Sequence, residues 1–219
     1  MIRKAILLAG AAALGLLAAP VVAQDAAPRG KQAGDFMIGF GVIGVLPRDS
    51  GSVDLIGGTP SASFAVTPQL DFTYFFTPNI ALNLIAATTR HELEVTGSAL
   101  GTVDLGRVWA LPPTLTLQYH PLPASRYSPY LGVGVNYTVF YGEGGSRTAP
   151  VLDVDVRNAF GVALNGGIDI ELAPNWLLNF DVKWIYLRPD VQVDTSVGRI
   201  GADANLDPWI FGASVRYRF

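Results

Sequence analysis

The chain has 219 residues, half of them apolar and 15% charged, with a formal net charge of −3 and no cysteine. A nucleic-acid role has no electrostatic support, and disulfides, thiolate metal sites and a cysteine nucleophile are excluded. The length suits one sizeable domain.

Arg3 and Lys4 precede an apolar run over residues 5–19, which Pro20 breaks. Val21-Val22-Ala23 fits the small-residue cleavage rule, so residues 1–23 read as a secretory signal peptide cut before Gln24. The competing reading is a membrane anchor, but a spanning helix needs ~20 apolar residues, more than this run supplies. Residues 24–34 are small, polar and aperiodic, and are expected to form a flexible lead.

From Asp35 the hydrophobic period is two, the spacing of a strand. In the first segment, residues 35–46, Phe36, Ile38, Phe40 and Val42 share a face. The second (64–76) sets Leu70, Phe72 and Tyr74 against Gln69, Asp71 and Thr73. The third runs over about 79–95, and the fourth (109–121) sets Leu115, Leu117 and Tyr119 against Thr116, Gln118 and His120. The fifth (129–141) opposes Leu131, Val133 and Val135 to Gly132, Gly134 and Asn136. The sixth (158–172) opposes Val162 and Leu164 to Ala163, Asn165, Asp169 and Glu171. The seventh (175–187) opposes Phe180, Val182 and Trp184 to Asp181 and Lys183. The eighth (206–219) alternates Trp209, Phe211, Ala213, Val215, Tyr217 and Phe219 with Ile210, Gly212, Ser214, Arg216 and Arg218.

The connections alternate in length. Residues 77–79 and 173–175 are tight turns, while 47–63, 96–108, 142–157 and 188–206 are long. A soluble sandwich would bury the apolar faces. An outer-membrane barrel would turn them to lipid and keep small and polar residues inside, with short turns at one end and long loops at the other. Aromatics near strand ends (Tyr74, Phe75, Phe76, Tyr119, Tyr127, Tyr130, Trp176, Tyr217 and Phe219) suit interfacial girdles, and the small inner residues suit a narrow lumen. The expected fold is all-β: an eight-stranded antiparallel transmembrane β-barrel over residues 35–219, with short periplasmic turns and long extracellular loops.

Four stretches, LPPTLTLQYH (111–120), PYLGVGVNYTVFY (129–141), NWLLNFDVKWIYL (175–187) and LDPWIFGASVRYRF (206–219), closely resemble the outer membrane protein W (OmpW) family. ATTRHELEV (87–95) is a weaker match, and LPPT together with LDPW and the closing YRF is a specific combination. The resemblance implies the bacterial outer membrane and a narrow hydrophobic channel that admits small apolar molecules. The chain departs from the family pattern mainly in its long loops. A closing aromatic residue with Tyr217 two before it also resembles the signal read by the outer-membrane insertion machinery, which makes Tyr217 and Phe219 an assembly signal.

Inward charges gather toward the short-turn end: Asp71, His120, Asp169, Glu171, Asp181, Lys183, Arg216 and Arg218. Unpaired charges in a dry lumen are costly, so a salt-bridged plug is expected in the periplasmic half, with Asp181 near Arg216 or Arg218. The alternative is that these charges sit at wet strand ends. Above them Ile43, Ile85, Ile185 and Leu187 fall on the inner face, and the long loops keep alternating, as in residues 151–156 and 190–200. The strands therefore extend outward as an apolar-lined cup, with Leu55 and Ile56 as a gate and Phe160 as a second candidate.

Other motifs carry less. GFGVIG (39–44) matches a dinucleotide fingerprint but lies in a strand with no helix behind it. His91 and His120 lack metal-ligand spacing, so no metal and no cofactor are expected. His91 with Glu92 and Ser98 is the sharpest enzymatic alternative, but no enzyme is expected because nothing in the pattern fixes their geometry. The expected partners are outer-membrane lipid, a small hydrophobic ligand and the insertion machinery. A barrel acting through its extracellular loops, in adhesion, as a receptor or in envelope integrity, is the alternative to transport.

Overall fold

A computed structural model describes residues 27–48, 50–53, 57–99, 101–144, 151–195 and 198–219. The barrel has eight staves: β1 (Phe36–Leu46), β4 (Ala65–Phe75), β5 (Ile80–Ala87), β8 (Thr114–Tyr119), β9 (Tyr127–Gly144), β11 (Ala159–Ala173), β12 (Trp176–Leu187) and β15 (Trp209–Arg218). Seven further strands lie outward of them: β2 (Ser50–Val53), β3 (Thr59–Ala62), β6 (Thr89–Ser98), β7 (Gly101–Leu111), β10 (Val151–Val156), β13 (Asp190–Thr195) and β14 (Gly198–Asn205). Neighbouring staves pair antiparallel around the ring, and β15 closes it, with Tyr217 opposite both Ile38 of β1 and Trp176 of β12.

Closure leaves the staves without an unpaired edge, as a bilayer demands. Along β1 the even residues Phe36, Ile38, Phe40 and Val42 are exposed while Met37, Ile43 and Val45 are buried. The same inversion recurs on β9, where Leu131, Val133 and Val135 are exposed and Asn136 and Thr138 are buried. The exposed aromatics form two belts. Phe36, Tyr74, Tyr119, Trp176 and Phe219 ring the short-turn end, and Tyr137, Phe160, Tyr186 and Trp209 ring the other.

Two of the aromatics expected in the girdle are not there. Phe75 and Tyr130 are 0% and 2% exposed and point into the lumen. Their strand parity requires it: Phe75 shares the face of Asp71 and Thr73, and Tyr130 shares that of Asn136.

Seven staves are interrupted before they continue outward; β9 alone runs through. The expected third strand breaks at Thr88, between β5 and β6. The expected fourth is broken by Pro112-Pro113, because two consecutive residues without N–H groups cannot hold a ladder. Beyond the breaks the wall separates into two four-stranded ribbons. One is β3-β6-β7 with the outer part of β9; the other is β10-β13-β14-β2. Val95, Val103, Leu105 and Val108 of the first pack on Val154, Val156 and Val193 of the second. A small sandwich therefore stands on the barrel, and the long connections are largely its strands rather than irregular loops.

Candidate functional site: an apolar cavity above a polar floor

The floor is built around Arg216, which is 0% exposed. Its guanidinium donates to Asp71 Oδ2 of β4 (2.6 Å) and to Asp169 Oδ1 of β11 (2.8 Å). Those strands flank the immediate neighbours of β15, so one side chain ties five staves together. Gly39 makes room for it, since a Cβ there would stand 2.9 Å from Arg216 Cγ. Asp71 also accepts from Thr73 (3.2 Å) and Asn83 (3.1 Å), and Asp169 accepts from Asn179 (2.8 Å). A second centre is Asp181, which pairs with Lys183 and accepts from Tyr130 (2.9 Å) and Asn165 (3.0 Å). Arg218 pairs with Glu171 (3.1 Å).

The expected approach of Asp181 to Arg216 or Arg218 does not occur. The register sets Arg216 opposite Leu177 and Asp181 opposite Gly212, two inward positions apart. Lys183, one inward position along the same strand, takes the carboxylate instead.

Residues 27–34, expected as a flexible lead, are folded under this floor. The Gly30 carbonyl accepts from Arg218 (2.6 Å), and the Arg29 and Gly30 amides donate to Glu171 (2.7 and 3.2 Å). Lys31, 5% exposed, enters the lumen and pairs with Asp169 (2.7 Å). Its ammonium also bonds His120 Nδ1 (2.8 Å) and Ser128 Oγ (2.7 Å). No sequence period marked Lys31; the available signal was a pair of cations, Arg29 and Lys31, beside a surplus of inward carboxylates.

Outward of the floor lies a cavity of about 80 Å³ with an almost wholly apolar lining. Its wall includes Val45, Leu105, Val108, Val156, Leu187 and Ile210, drawn from both ribbons and from the barrel rim. Ile185 and Leu187 line it. Ile43 and Ile85 are buried (2% each) one inward position nearer the floor than Val45 and Ala87. Phe160 does not line it: it is 79% exposed on the outer face and packs on Tyr137 at 4.5 Å, as strand alternation dictates. Leu55 and Ile56 lie outside the described residues. The β7 residues Leu105 and Val108 were missed because 96–108 reads as a loop; its alternating Val103 and Leu105 were the available signal.

His91 is also in the wall, 6% exposed. Its Nδ1 meets the Ser63 carbonyl at 2.7 Å and its Nε2 meets Thr89 Oγ1 at 2.9 Å. Ser98 instead donates to the Gly101 carbonyl (2.6 Å), seven residues further along the strand, so the enzymatic alternative is not assembled. Burial holds the imidazole below its ordinary pKa, partly offset by the bond to Ser63.

A cylinder greasy outside, polar within and shut edge to edge is a β-barrel of the bacterial outer membrane. The chain belongs to the OmpW family, whose pattern it matches over residues 32–219. It is 44% identical to the uncharacterized outer-membrane protein y4mB of Sinorhizobium fredii, over 96% of this chain and 90% of that one. It is 32% identical to outer membrane protein W of Vibrio cholerae, over 93% of this chain and 94% of that one. The crystal structure of OprG from Pseudomonas aeruginosa matches with a TM-score of 0.80 at 29% identity, covering 88% of this chain and 99% of OprG.

Proposed function

We propose that the protein takes up small apolar molecules from outside, holds them in the cavity and releases them sideways into the bilayer. The observation that carries this reading is the stacking of an apolar cavity on an ion-paired floor. An apolar molecule crossing that floor would separate Arg216 from Asp71 and Asp169 and offer nothing in exchange, a loss of about 3–5 kcal/mol for a buried pair. The wall is weaker. The β5–β8 ladder ends at Ile85–Thr114, and the β6–β7 ladder resumes only at Thr89–Ala110. Pro112-Pro113 lies in that interval and contributes no donor, so strands part there at little cost.

Two measurements test this. In planar bilayers the wild type is expected to pass no large steady ion current; such a current would overturn the closed floor. The apolar dye N-phenyl-1-naphthylamine is expected to bind the wild type and to lose most of its affinity on Val108→Asp. Undiminished binding would place the dye elsewhere.

The assembly role of Tyr217 and Phe219 belongs to the same proposal. The Phe219 amide donates to the Phe36 carbonyl (2.9 Å), and its ring rests on Tyr217 (4.9 Å), which displays both aromatics at the seam between the first and last staves.

A further inference from the structure

The polar groups in the cavity wall are unequal in what they offer. Thr89, His91 and Thr138 lie among apolar neighbours there. A carbonyl only accepts, so His91 Nδ1 carries the ring proton toward Ser63, 2.7 Å away. In the neutral ring Nε2 is then a lone pair, and the Thr89 hydroxyl at 2.9 Å donates to it. The Thr138 hydroxyl is spent in the same way on Asn136 Oδ1 at 2.7 Å, whose amide nitrogen donates to Thr114 (3.0 Å). Five more wall residues, Pro47, Pro60, Pro112, Pro189 and Pro208, have no N–H at all. Glu94 adds a carboxylate at the edge. The donors of Thr89, His91 and Thr138 are thus used up internally, while the two hydroxyl oxygens keep acceptor capacity.

We propose that the cavity prefers apolar molecules carrying a single hydroxyl group, a phenol or a fatty alcohol, over hydrocarbons, ethers and carboxylates of the same shape. The ligand O–H donates to Thr89 Oγ1, whose own hydroxyl donates to His91 Nε2, while His91 Nδ1–H donates to the Ser63 carbonyl, so one continuous chain of hydrogen bonds forms with every proton kept on its donor. An ether oxygen buried against Thr89 finds the donors of Thr89, His91 and Thr138 already engaged and loses its water without replacement from them. A carboxylate does worse, since it also meets Glu94. A hydrocarbon loses nothing but gains no bond. This rests on the cavity being the ligand site, as proposed above.

The test uses the full-length protein in lipid nanodiscs and a matched series: naphthalene, 1-methoxynaphthalene and 1-naphthol, each competed against N-phenyl-1-naphthylamine. In the wild type 1-naphthol is expected to bind roughly three- to tenfold more tightly than the other two, the worth of one hydrogen bond. In Thr89→Val with His91→Phe that advantage is expected to fall at least twofold while naphthalene binding is kept. His91→Gln adds an amide donor and is expected to raise 1-methoxynaphthalene relative to naphthalene, so the idea stays testable should the double variant fail to assemble. Equal binding of naphthol and methoxynaphthalene by the wild type would overturn the preference and leave the cavity standing as a ligand site. Failure of naphthalene itself to compete would overturn the site along with it.

Discussion

Arg216 is where single residues matter most. It is charged at every accessible pH and has no solvent contact, so the two carboxylates are its whole compensation. Arg216→Ala leaves Asp71 and Asp169 buried without it and is expected to cost about 3–5 kcal/mol, read from urea unfolding in lipid vesicles. His91 gives a pH dependence. Its folded pKa is lowered, chiefly by burial, so the fold favours the neutral ring. That contribution is whole above about pH 6.5, the unfolded value, and is lost as pH falls below it. The thermal midpoint is expected to drop between pH 7 and pH 5 by more in the wild type than in His91→Phe. Parity alone placed Arg216, Asp169 and Lys183 inside. It also placed Phe75 and Tyr130 inside, but there residue type was given more weight than alternation. Partner choice was only partly legible: Asp181 and Lys183 share one face of one strand, but the register that keeps Arg216 away from Asp181 is revealed by no single strand.

At the scale of elements, residues 27–34 act as a strap. The barrel hydrogen bonds do not depend on it, but the Lys31 contact to Asp169 and the Gly30 contact to Arg218 do. Deleting residues 27–34 is expected to leave heat-resistant barrel mobility on gels intact and to raise ion conductance in planar bilayers; an unchanged conductance would show that the floor seals without the strap. The last strand carries a different expectation. Removing Phe219 is expected to slow insertion into the outer membrane, measured as accumulation of unfolded chain, with little effect on barrels already assembled. The staves were legible in sequence because alternation survives in them from one end to the other. The breaks were only partly so. Pro112-Pro113 announces one, while Thr88 and Arg157-Asn158 carry no composition that distinguishes them from strand.

At the scale of the whole molecule, a barrel and a sandwich share one chain. Both readings of the alternating pattern were reasonable because the two parts use opposite faces. In the barrel the apolar face looks outward to lipid; in the ribbons Val103, Val154 and Val193 look inward to each other. The division follows the solvent. Beyond the bilayer the outer face meets water, so the apolar residues must change sides, and the interruptions between staves and ribbons are where the chain makes that change.

The separation of the ribbons has a mechanical meaning. The β9–β11 ladder ends at Thr138–Ala159, and from there β9 pairs with β7 while β10 pairs with β13. Between the ribbons there is a valine contact rather than a ladder at this seam, and such a contact can slide and re-form without any backbone bond being broken. If the proposed uptake holds, the upper chamber widens for a bulkier guest while the staves below keep their registration. Under that proposal, tolerance for guest size resides in one part of the molecule and insulation in another, so variation in the outer strands retunes what is admitted without touching the staves.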